Sequence, residues 1–265
     1  FLKSYHKTAP LDPEIPKFPL FGSHWLMTTI IVVYLAFVLK LGPKFMENRK
    51  PYNLKNVISA YNIFQVIYNS VVFGISGYYL LINPKYDRSC MTNLPYDHPD
   101  KNIERIMTYA FFINKVIDLL DTVFFVLRKS YKQITPLHLY HHVLMSCAIY
   151  IGIQFYGFGG QYSMMGFLNS GVHTVMYFYY FISAQYPELK DSIWWKKYIT
   201  KLQIGQFILL IIQPICVLLF NPGCGVPYFH HFSQILIAAS MVIMFSKFYY
   251  AAYVKPRPQK PLKQQ

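Results

Sequence analysis

Residues 25–41 read WLMTTIIVVYLAFVLKL, and Gly42 and Pro43 follow directly. The run carries a single charge, on Lys40, and approaches the length of about 20 residues at which a helix crosses a bilayer. Glycine and proline then mark its end. Six more apolar runs follow, at 57–82, 106–127, 136–156, 163–184, 202–220 and 229–253. We therefore predict an all-α integral membrane protein, in which 1–265 form a single domain of seven transmembrane helices.

The composition also indicates a membrane protein. Hydrophobic residues make up 54% of the 265-residue chain and charged residues 14%, whereas a soluble domain carries about 25% charge. The net charge is +14. We attribute this excess to the Lys and Arg residues that accumulate in cytosolic loops of membrane proteins. The partner that we predict is therefore a lipid bilayer and not nucleic acid.

The basic residues lie in alternate connections between the apolar runs, and this pattern predicts the topology. They are Lys44, Arg49, Lys50, Lys55, Arg128, Lys129, Lys132, Lys190, Lys196, Lys197, Lys201, Lys255, Arg257, Lys260 and Lys263. The connections at 157–162 and 221–228 carry no Lys or Arg, and acidic residues offset the basic ones in 83–105. We therefore predict a lumenal N-terminal segment, 1–24, and a disordered cytosolic tail, 254–265.

The N-terminal segment does not resemble a signal peptide. Residues 1–22 are polar and rich in proline, without the apolar core that a signal peptide requires. The first residue is Phe1 and not Met. We therefore expect this sequence to be a fragment or a trimmed form of its chain.

Two of the four cysteines, Cys90 and Cys224, fall in connections that we predict to face the lumen. That compartment of the secretory pathway is oxidising, so the pair is a candidate disulfide, and two free thiols are the alternative. Cys147 and Cys216 fall within predicted spans, and we interpret them as packing residues.

Three histidines open the fourth span. His138, His141 and His142 stand at positions i, i+3 and i+4, so their imidazoles share one face of a helix. Ionisable side chains at bilayer depth are candidates for a functional site, because burying them in hydrocarbon is costly.

Three further spans carry polar sets at helical spacing. The sets are Lys115, Asp118, Asp121 and Thr122 in the third span, Asn169, His173, Tyr177 and Tyr180 in the fifth, and Thr200, Gln203 and Gln206 in the sixth. Taken singly, a structural ion pair, a packing histidine or amides that join helices explain them equally well.

With the predicted topology, all four polar sets fall in the cytosolic half of the bilayer, whereas the other half is apolar and aromatic. This distribution predicts a cytosol-facing polar chamber that continues into an apolar tunnel, which suits a substrate with a charged head and a long acyl tail. The remaining histidines fall on the opposite side, and we interpret them as surface or interfacial residues. They are His6, His24, His98, His230 and His231.

A di-metal lipid desaturase or hydroxylase with histidine boxes is one alternative. Such sites use more histidines than the predicted cytosolic side offers here, although Asp118 and Asp121 could complete a smaller site. We predict no metal. A non-catalytic seven-helix receptor or transporter is a further alternative, but the polar residues cluster on one side and do not form a path through the bilayer.

Four segments together resemble the motifs of the very-long-chain fatty acid elongases, which are condensing enzymes of the endoplasmic reticulum. Residues 115–122 resemble the family's KxxExxDT, and residues 138–142 its HxxHH. Residues 169–180 match NxxHxxMYxYY, and residues 200–206 match TxxQxxQ. One position departs, because Asp118 stands where the family motif has Glu. We expect Asp118→Glu to be tolerated, since it restores the family residue.

The resemblance implies that acyl-CoA and malonyl-CoA are condensed to 3-ketoacyl-CoA, CO2 and CoA, with no cofactor beyond these substrates. No cysteine or serine in the motifs offers a nucleophile, so we predict an acyl-histidine intermediate on His141. His173 would be the partner base or would stabilise the enolate. The groups that orient these two and set the local charge would be His138, His142, Lys115, Asp118 and Asp121.

The resemblance also suggests how the substrates bind. Hydrogen bonds to the thioesters would come from Asn169, Tyr177, Tyr180, Thr200, Gln203 and Gln206. The CoA phosphates would meet Arg128, Lys129, Lys196, Lys197 and Lys201, for which a purely topological role is the alternative. The family implies the endoplasmic reticulum membrane as the location, with other elongation-cycle enzymes and a homo-oligomer as possible assemblies.

Overall fold

The computed structural model describes residues 12–87, 89–186, 188–189 and 192–255. Several sequence-based predictions lie outside these residues. They concern most of the N-terminal segment, nearly all of the C-terminal tail, and the side chains of His6, Lys190, Arg257, Lys260 and Lys263.

The described residues fold mainly into helices, which confirms the all-α prediction; the longest connection between helices runs from 83 to 100. The helices are α1 (His24–Met46), α2 (Lys55–Ile82), α3 (Lys101–Ile117), α4 (Leu120–Leu127), α5 (Pro136–Tyr156), α6 (Gln161–Gln185), α7 (Ile193–Phe220) and α8 (Tyr228–Val254). Helices suit such a chain because a backbone in lipid must satisfy its own N–H and C=O groups.

Four of these helices, α1, α2, α7 and α8, are long and apolar enough to cross a membrane. The remaining helices carry the four histidines of the predicted site, together with Lys115, Asp121 and Asn169. Length and composition therefore indicate a multi-pass membrane protein, and the full count of seven spans stays a prediction.

The helix bounds agree with most of the predicted runs, and α5 matches 136–156. The predicted end of the first run at Gly42 and Pro43 is wrong, because α1 continues through both residues to Met46. The prediction is wrong for the run at 202–220, because α7 already begins at Ile193. Its added turns contain tryptophan and lysine, which suit a helix that emerges from a bilayer but interrupt the apolar pattern. Three basic residues predicted in a loop therefore lie on this helix, namely Lys196, Lys197 and Lys201.

The third predicted span, 106–127, is interrupted. Between α3 and α4 the chain makes a tight turn, in which the Asp121 N–H donates to the Asp118 carbonyl at 3.2 Å. The predicted polar stripe divides at this turn: Asp118 bonds to side chains of α2 and α6, whereas Thr122 bonds to side chains of α1 and α5. Asp118 and Thr122 therefore belong to different hydrogen-bond networks.

Close packing of α2 against α6 brings the polar residues of the two helices together. Phe73 and Phe167 stack between them, with ring centroids 4.7 Å apart. Glycines make room for these rings, because a Cβ on Gly171 would lie 2.8 Å from Phe73 and one on Gly77 would lie 3.0 Å from Phe167. Helix α5 contacts both α3 and α8, through Ser146 toward Lys115 and through His141 toward Met241.

A buried ion-pair network joins the segment before α1 to the start of α3. Arg105 donates to both oxygens of Asp12, at 2.8 and 2.9 Å. Lys101 Nζ donates to Glu104 Oε2 at 2.6 Å, and the Tyr86 hydroxyl donates to Glu104 Oε1 at 2.8 Å. Burial acts to raise the pKa of Asp12, but the bonds from Arg105 and the backbone, with the nearby cations, outweigh it and hold the pKa below its ordinary value.

We expect Asp12→Ala to destabilise the protein by about 3–5 kcal/mol, because Arg105 is left buried without its carboxylate. Since folding lowers the pKa of Asp12, the wild-type contribution is present above the unfolded pKa near 3.8 and is lost as the pH falls through the folded pKa. Melting temperatures in detergent check this. The matched control is Glu14→Ala, which removes a carboxylate from an exposed pair with Lys17. Equal melting temperatures of the two variants would contradict the prediction.

Cys90 and Cys224 form a disulfide, with their Cα atoms 5.4 Å apart. This agrees with the candidate pairing of two cysteines in connections predicted to face the same side of the membrane. The bond joins the connection before α3 to the connection between α7 and α8. Cys147 is half-buried, in agreement with a packing role, but Cys216 is exposed, so that interpretation is wrong for Cys216.

The interpretation of His230 and His231 as surface residues is wrong, because their exposed fractions are 7% and 1%. Gln161 Nε2 donates to His231 Nδ1 at 3.2 Å, and the His230 ring stacks on Tyr156 with centroids 4.5 Å apart. The end of α5 and the start of α6 therefore cover the first turn of α8.

Candidate active site

The histidine cluster lies in the first two turns of α5. Thr135 caps this helix by accepting a hydrogen bond from the His138 N–H at 3.1 Å, and Pro136 occupies its first position. The rings of His138 and His142 are 4.2 Å apart, and those of His141 and His142 are 5.6 Å apart. The helix start therefore gathers three half-buried imidazoles, as the HxxHH spacing predicts.

His141 lies in an apolar setting with one weak hydrogen-bond partner. Its Nδ1 is 3.4 Å from the Met241 sulfur, and the rings of Phe207 and Phe245 are 6.3 and 6.0 Å away. A thioether accepts and cannot donate, so this contact favours the tautomer with hydrogen on Nδ1. The lone pair then lies on Nε2, which is the atom that can attack a carbonyl carbon.

His138 takes part in a separate chain of hydrogen bonds. Its Nε2 is 2.8 Å from the Thr122 hydroxyl, which is 2.7 Å from the Tyr34 hydroxyl of α1. This chain fixes the ring orientation of His138. Because its Nε2 is occupied in this way, His138 is suited to supporting its neighbours and not to attacking a substrate.

Asp118 is the centre of a second cluster, and only 2% of it is exposed. Its Oδ2 lies 2.7 Å from Lys115 Nζ and 3.6 Å from His173 Nε2. Its Oδ1 accepts from Gln65 Nε2 at 2.8 Å and from the Tyr177 hydroxyl at 3.1 Å. Residues of α2, α3 and α6 thus meet at one carboxylate, which agrees with the predicted pairing of Lys115 with Asp118.

The tautomer of His173 follows from its backbone contact. His173 Nδ1 is 3.0 Å from the carbonyl oxygen of Asn169, and a carbonyl only accepts, so Nδ1 carries a hydrogen. Nε2 is therefore the atom that faces Asp118 and that can gain or lose a proton. No hydrogen bond or ring contact between His173 and His141 is present in the described part of the chain.

Tyr177 joins the two carboxylates of the cluster. Its hydroxyl is 2.7 Å from Asp121 Oδ2, in addition to its contact with Asp118, and it is 3.5 Å from the Tyr61 hydroxyl. Tyr177 is 1% exposed, so the hydroxyl meets these groups away from water. The structure thus gives Tyr177 a role inside the cluster, whereas the sequence suggested a contact with substrate.

The sequence analysis missed three residues of α2 that complete this cluster, namely Tyr61, Gln65 and Asn69. Gln65 is fully buried and contacts the other two as well as Asp118. The three stand four residues apart, on one face of a largely apolar run. Such a one-sided polar stripe is the signal that identified the other clusters, and it could have identified this one.

The residues predicted to bind the thioesters differ in their burial and in the contacts that their side chains make within the protein. The Thr200 hydroxyl donates to the Lys196 carbonyl of its own helix at 2.9 Å, and Gln203 contacts the Met176 sulfur at 3.6 Å. The side-chain oxygen of Asn169 is buried and has no partner among the described residues. Gln206 is 5% exposed. Tyr180 is 43% exposed and meets the Tyr177 ring edge-on.

The basic residues lie at the end of the molecule where α5 begins. The connections from α4 to α5 and from α6 to α7 are short, so the C-terminus of α4 and the N-terminus of α7 share that end. Arg128 and Lys196 are exposed there, and Lys197 is half-buried. Lys129 Nζ donates to the Glu47 carbonyl at 3.0 Å, and Lys201 lies 5.2 Å from the Tyr198 ring.

A metal site would require several ligating side chains close together among the described residues. Nowhere among them do three or more His, Cys, Asp or Glu side chains come together in a way that could bind a metal ion.

The fold and these two clusters define a multi-helix membrane protein with a buried histidine and carboxylate centre. The model of the GNS1/SUR4 family, also called ELO, matches residues 19–261. Very long chain fatty acid elongase F of Drosophila simulans is 41% identical over 250 residues, which cover 94% of each chain. Very long chain fatty acid elongase 1 of Mus musculus is 36% identical over 256 residues, which cover 95% of this chain and 90% of the mouse protein. The chain therefore belongs to the ELO family.

Proposed function

We propose that this protein is a very-long-chain fatty acid elongase that condenses acyl-CoA with malonyl-CoA to give 3-ketoacyl-CoA, CO2 and CoA. The observation that carries the proposal is the His141 environment, in which Nδ1 faces a weak acceptor and Nε2 keeps its lone pair. Membership of the ELO family supports the reaction, because relatives of this chain are named very long chain fatty acid elongases.

In the first step, His141 Nε2 attacks the thioester carbonyl carbon of acyl-CoA. The C–S bond breaks, and the CoA thiolate leaves with the proton that the acyl-imidazolium loses from Nδ1. A neutral imidazole is a competent nucleophile, and the resulting acyl-imidazole is a reactive donor. The apolar contacts of Phe207 and Phe245 would keep water away from this intermediate.

In the second step, malonyl-CoA loses CO2, and the electron pair of the broken C–C bond forms a thioester enolate. The enolate carbon attacks the acyl carbonyl, the C–N bond to His141 breaks, and one proton is taken up to restore the imidazole. His173, set against Asp118 and Lys115, is the group that we propose to stabilise the enolate. The side-chain amides of Asn169 and Gln206, which are both buried, are candidates to donate N–H hydrogen bonds to the thioester oxygens.

The same proposal includes the seven-span arrangement in the endoplasmic reticulum membrane, with a lumenal N-terminus, a cytosolic C-terminus and a chamber open to the cytosol. Arg128, Lys129, Lys196, Lys197 and Lys201 would then meet the CoA phosphates at the cytosolic end. We expect a tag after Gln265 to be accessible in sealed microsomes. A tag that protease reaches only after detergent is added would contradict this orientation.

The condensation is tested with purified protein, a long-chain acyl-CoA and radiolabelled malonyl-CoA. We expect labelled 3-ketoacyl-CoA and stoichiometric CO2, and a panel of acyl chains analysed by mass spectrometry then gives the preferred length. No labelled product with any chain would overturn the proposal. Oxygen consumption without malonyl-CoA would indicate a desaturase or hydroxylase, and binding without turnover would indicate a receptor or transporter.

A further inference from the structure

We propose that Gln65 of α2 is a positioning residue, which holds the Asp118 carboxylate against Lys115 and His173 during condensation. This inference rests on the proposed function. Gln65 is fully buried and lies outside the four polar sets that the sequence analysis identified. It acts through Asp118 and has no contact with a reacting atom in this proposal.

The neighbours of Gln65 permit only one orientation of its amide. Its Oε1 accepts from Asn114 Nδ2 at 2.6 Å and from Asn69 Nδ2 at 3.1 Å. Those two nitrogens only donate, so the oxygen of Gln65 must face them. Its Nε2 must then face the opposite way, where it donates to Asp118 Oδ1 at 2.8 Å and to the Tyr61 hydroxyl at 3.0 Å.

This fixed donor determines how the Asp118 carboxylate is oriented. Gln65 donates to Oδ1, and Asp118 is only 2% exposed, so rotation of the carboxylate would break this hydrogen bond inside the protein. Oδ2 is thereby directed at Lys115 Nζ, 2.7 Å away, and at His173 Nε2, 3.6 Å away. Helix α2 carries none of the four motifs that resemble the elongase family, yet it sets the position of the Asp118 carboxylate that faces His173.

The contact also changes the expectation for Asp118→Glu. From the resemblance alone this substitution should be tolerated. In the structure, one more methylene would advance the carboxylate by about 1.5 Å, the length of a carbon–carbon bond, toward an amide already 2.8 Å away. We therefore expect Asp118→Glu alone to be harmful. Gln65→Asn retracts the amide by the same length, so the two changes should compensate each other.

The test is a double-mutant cycle of Gln65→Asn, Asp118→Glu and their combination, measured as malonyl-CoA turnover. We expect each single variant to lose condensation at least about ten-fold, as for loss of a hydrogen bond to a charged group, with little change in the KM for acyl-CoA. The double variant should return to within about three-fold of wild type. Losses that multiply in the double variant would show that Gln65 and Asp118 affect turnover independently, and that result would overturn the proposal.

Tyr68→Phe is the matched control. The Tyr68 hydroxyl donates to the Ala110 carbonyl at 2.9 Å, so this variant also removes one bond between α2 and α3. Ala110 stands eight residues before Asp118, so the bond that is lost does not involve the Asp118 carboxylate. It should retain turnover. A loss in Tyr68→Phe as large as in Gln65→Asn would show that helix contact alone matters, and would also overturn the proposal.

The melting temperatures of the same variants detect the contact between Gln65 and Asp118 independently of the reaction. Compensation in both melting temperature and turnover supports the positioning role. If the double variant regains the melting temperature that the single variants lose, but the single variants turn over normally, the positioning role is refuted and the proposed condensation is not. Absence of turnover by the wild type refutes the proposed function, and with it the positioning role, whatever the melting temperatures show.

Discussion

Replacing His141 with alanine is expected to lower condensation by more than about a thousand-fold and to abolish the acyl-enzyme adduct. The reason is that the variant loses the nucleophile of the proposed mechanism, whereas the Asp118 cluster and the Thr122–His138 hydrogen bond remain. The measurement is intact-protein mass spectrometry after incubation with acyl-CoA in the absence of malonyl-CoA, together with the amount of free CoA. Wild type should release CoA in proportion to the adduct, and His141→Ala should release none.

His24→Gln is the control for this experiment, since His24 is an exposed histidine at the start of α1 that bonds to the Tyr150 hydroxyl at 2.9 Å. It should form the adduct as wild type does. Full activity of His141→Ala, with no adduct on the wild type, would rule out the two-step mechanism. An adduct on His173 would keep the mechanism and exchange the roles of the two histidines.

The second large effect is expected for Lys115→Met. Only 2% of the Lys115 side chain is exposed, so the variant leaves Asp118 buried without its cation. We expect a loss of about 3–5 kcal/mol in the free energy of unfolding and a fall of about a hundred-fold in condensation. Lys17→Met, which removes the lysine of an exposed pair, should change neither quantity measurably.

The double variant Lys115→Met with Asp118→Asn separates stability from chemistry. Removing both charges should restore much of the stability, because no unpaired ion remains buried. Condensation should stay low, because the carboxylate that faces His173 is absent. Recovery of turnover together with stability would show that the pair is only structural, which is the alternative that the sequence left open.

Much of the fold could be predicted from the sequence, because apolar runs of bilayer length leave the backbone little choice but a helix. The start of α7 was missed because tryptophan and lysine interrupt the apolar pattern while favouring helix at a membrane surface. The turn at Asp118 was also missed. The spacing of Asp118 and Thr122 places them on one face of an ideal helix. In the structure, the helix is interrupted between them.

The residues of the candidate site were largely predictable, but their partners were not. Four motifs identified His141, His173 and Asp118, because ionisable groups in apolar segments are conspicuous. Gln65 was passed over because a neutral amide in a membrane helix resembles a simple helix contact. His230 was misread as a surface residue because its position at a helix end says nothing of the segments that fold over it.

The uneven apolarity of the helices has a consequence for biosynthesis. In the seven-span arrangement proposed above, the segments that carry the chemistry are those that the insertion machinery would retain least readily in the bilayer. An unpaired charge at the centre of a helix costs about 2.5–3.5 kcal/mol on insertion. Lys115 and Asp118 are three residues apart and bond at 2.7 Å, so the segment formed by α3 and Asp118 can enter with this pair already formed. Helix α2 is synthesised before this segment, so Gln65 would precede Asp118 into the bilayer.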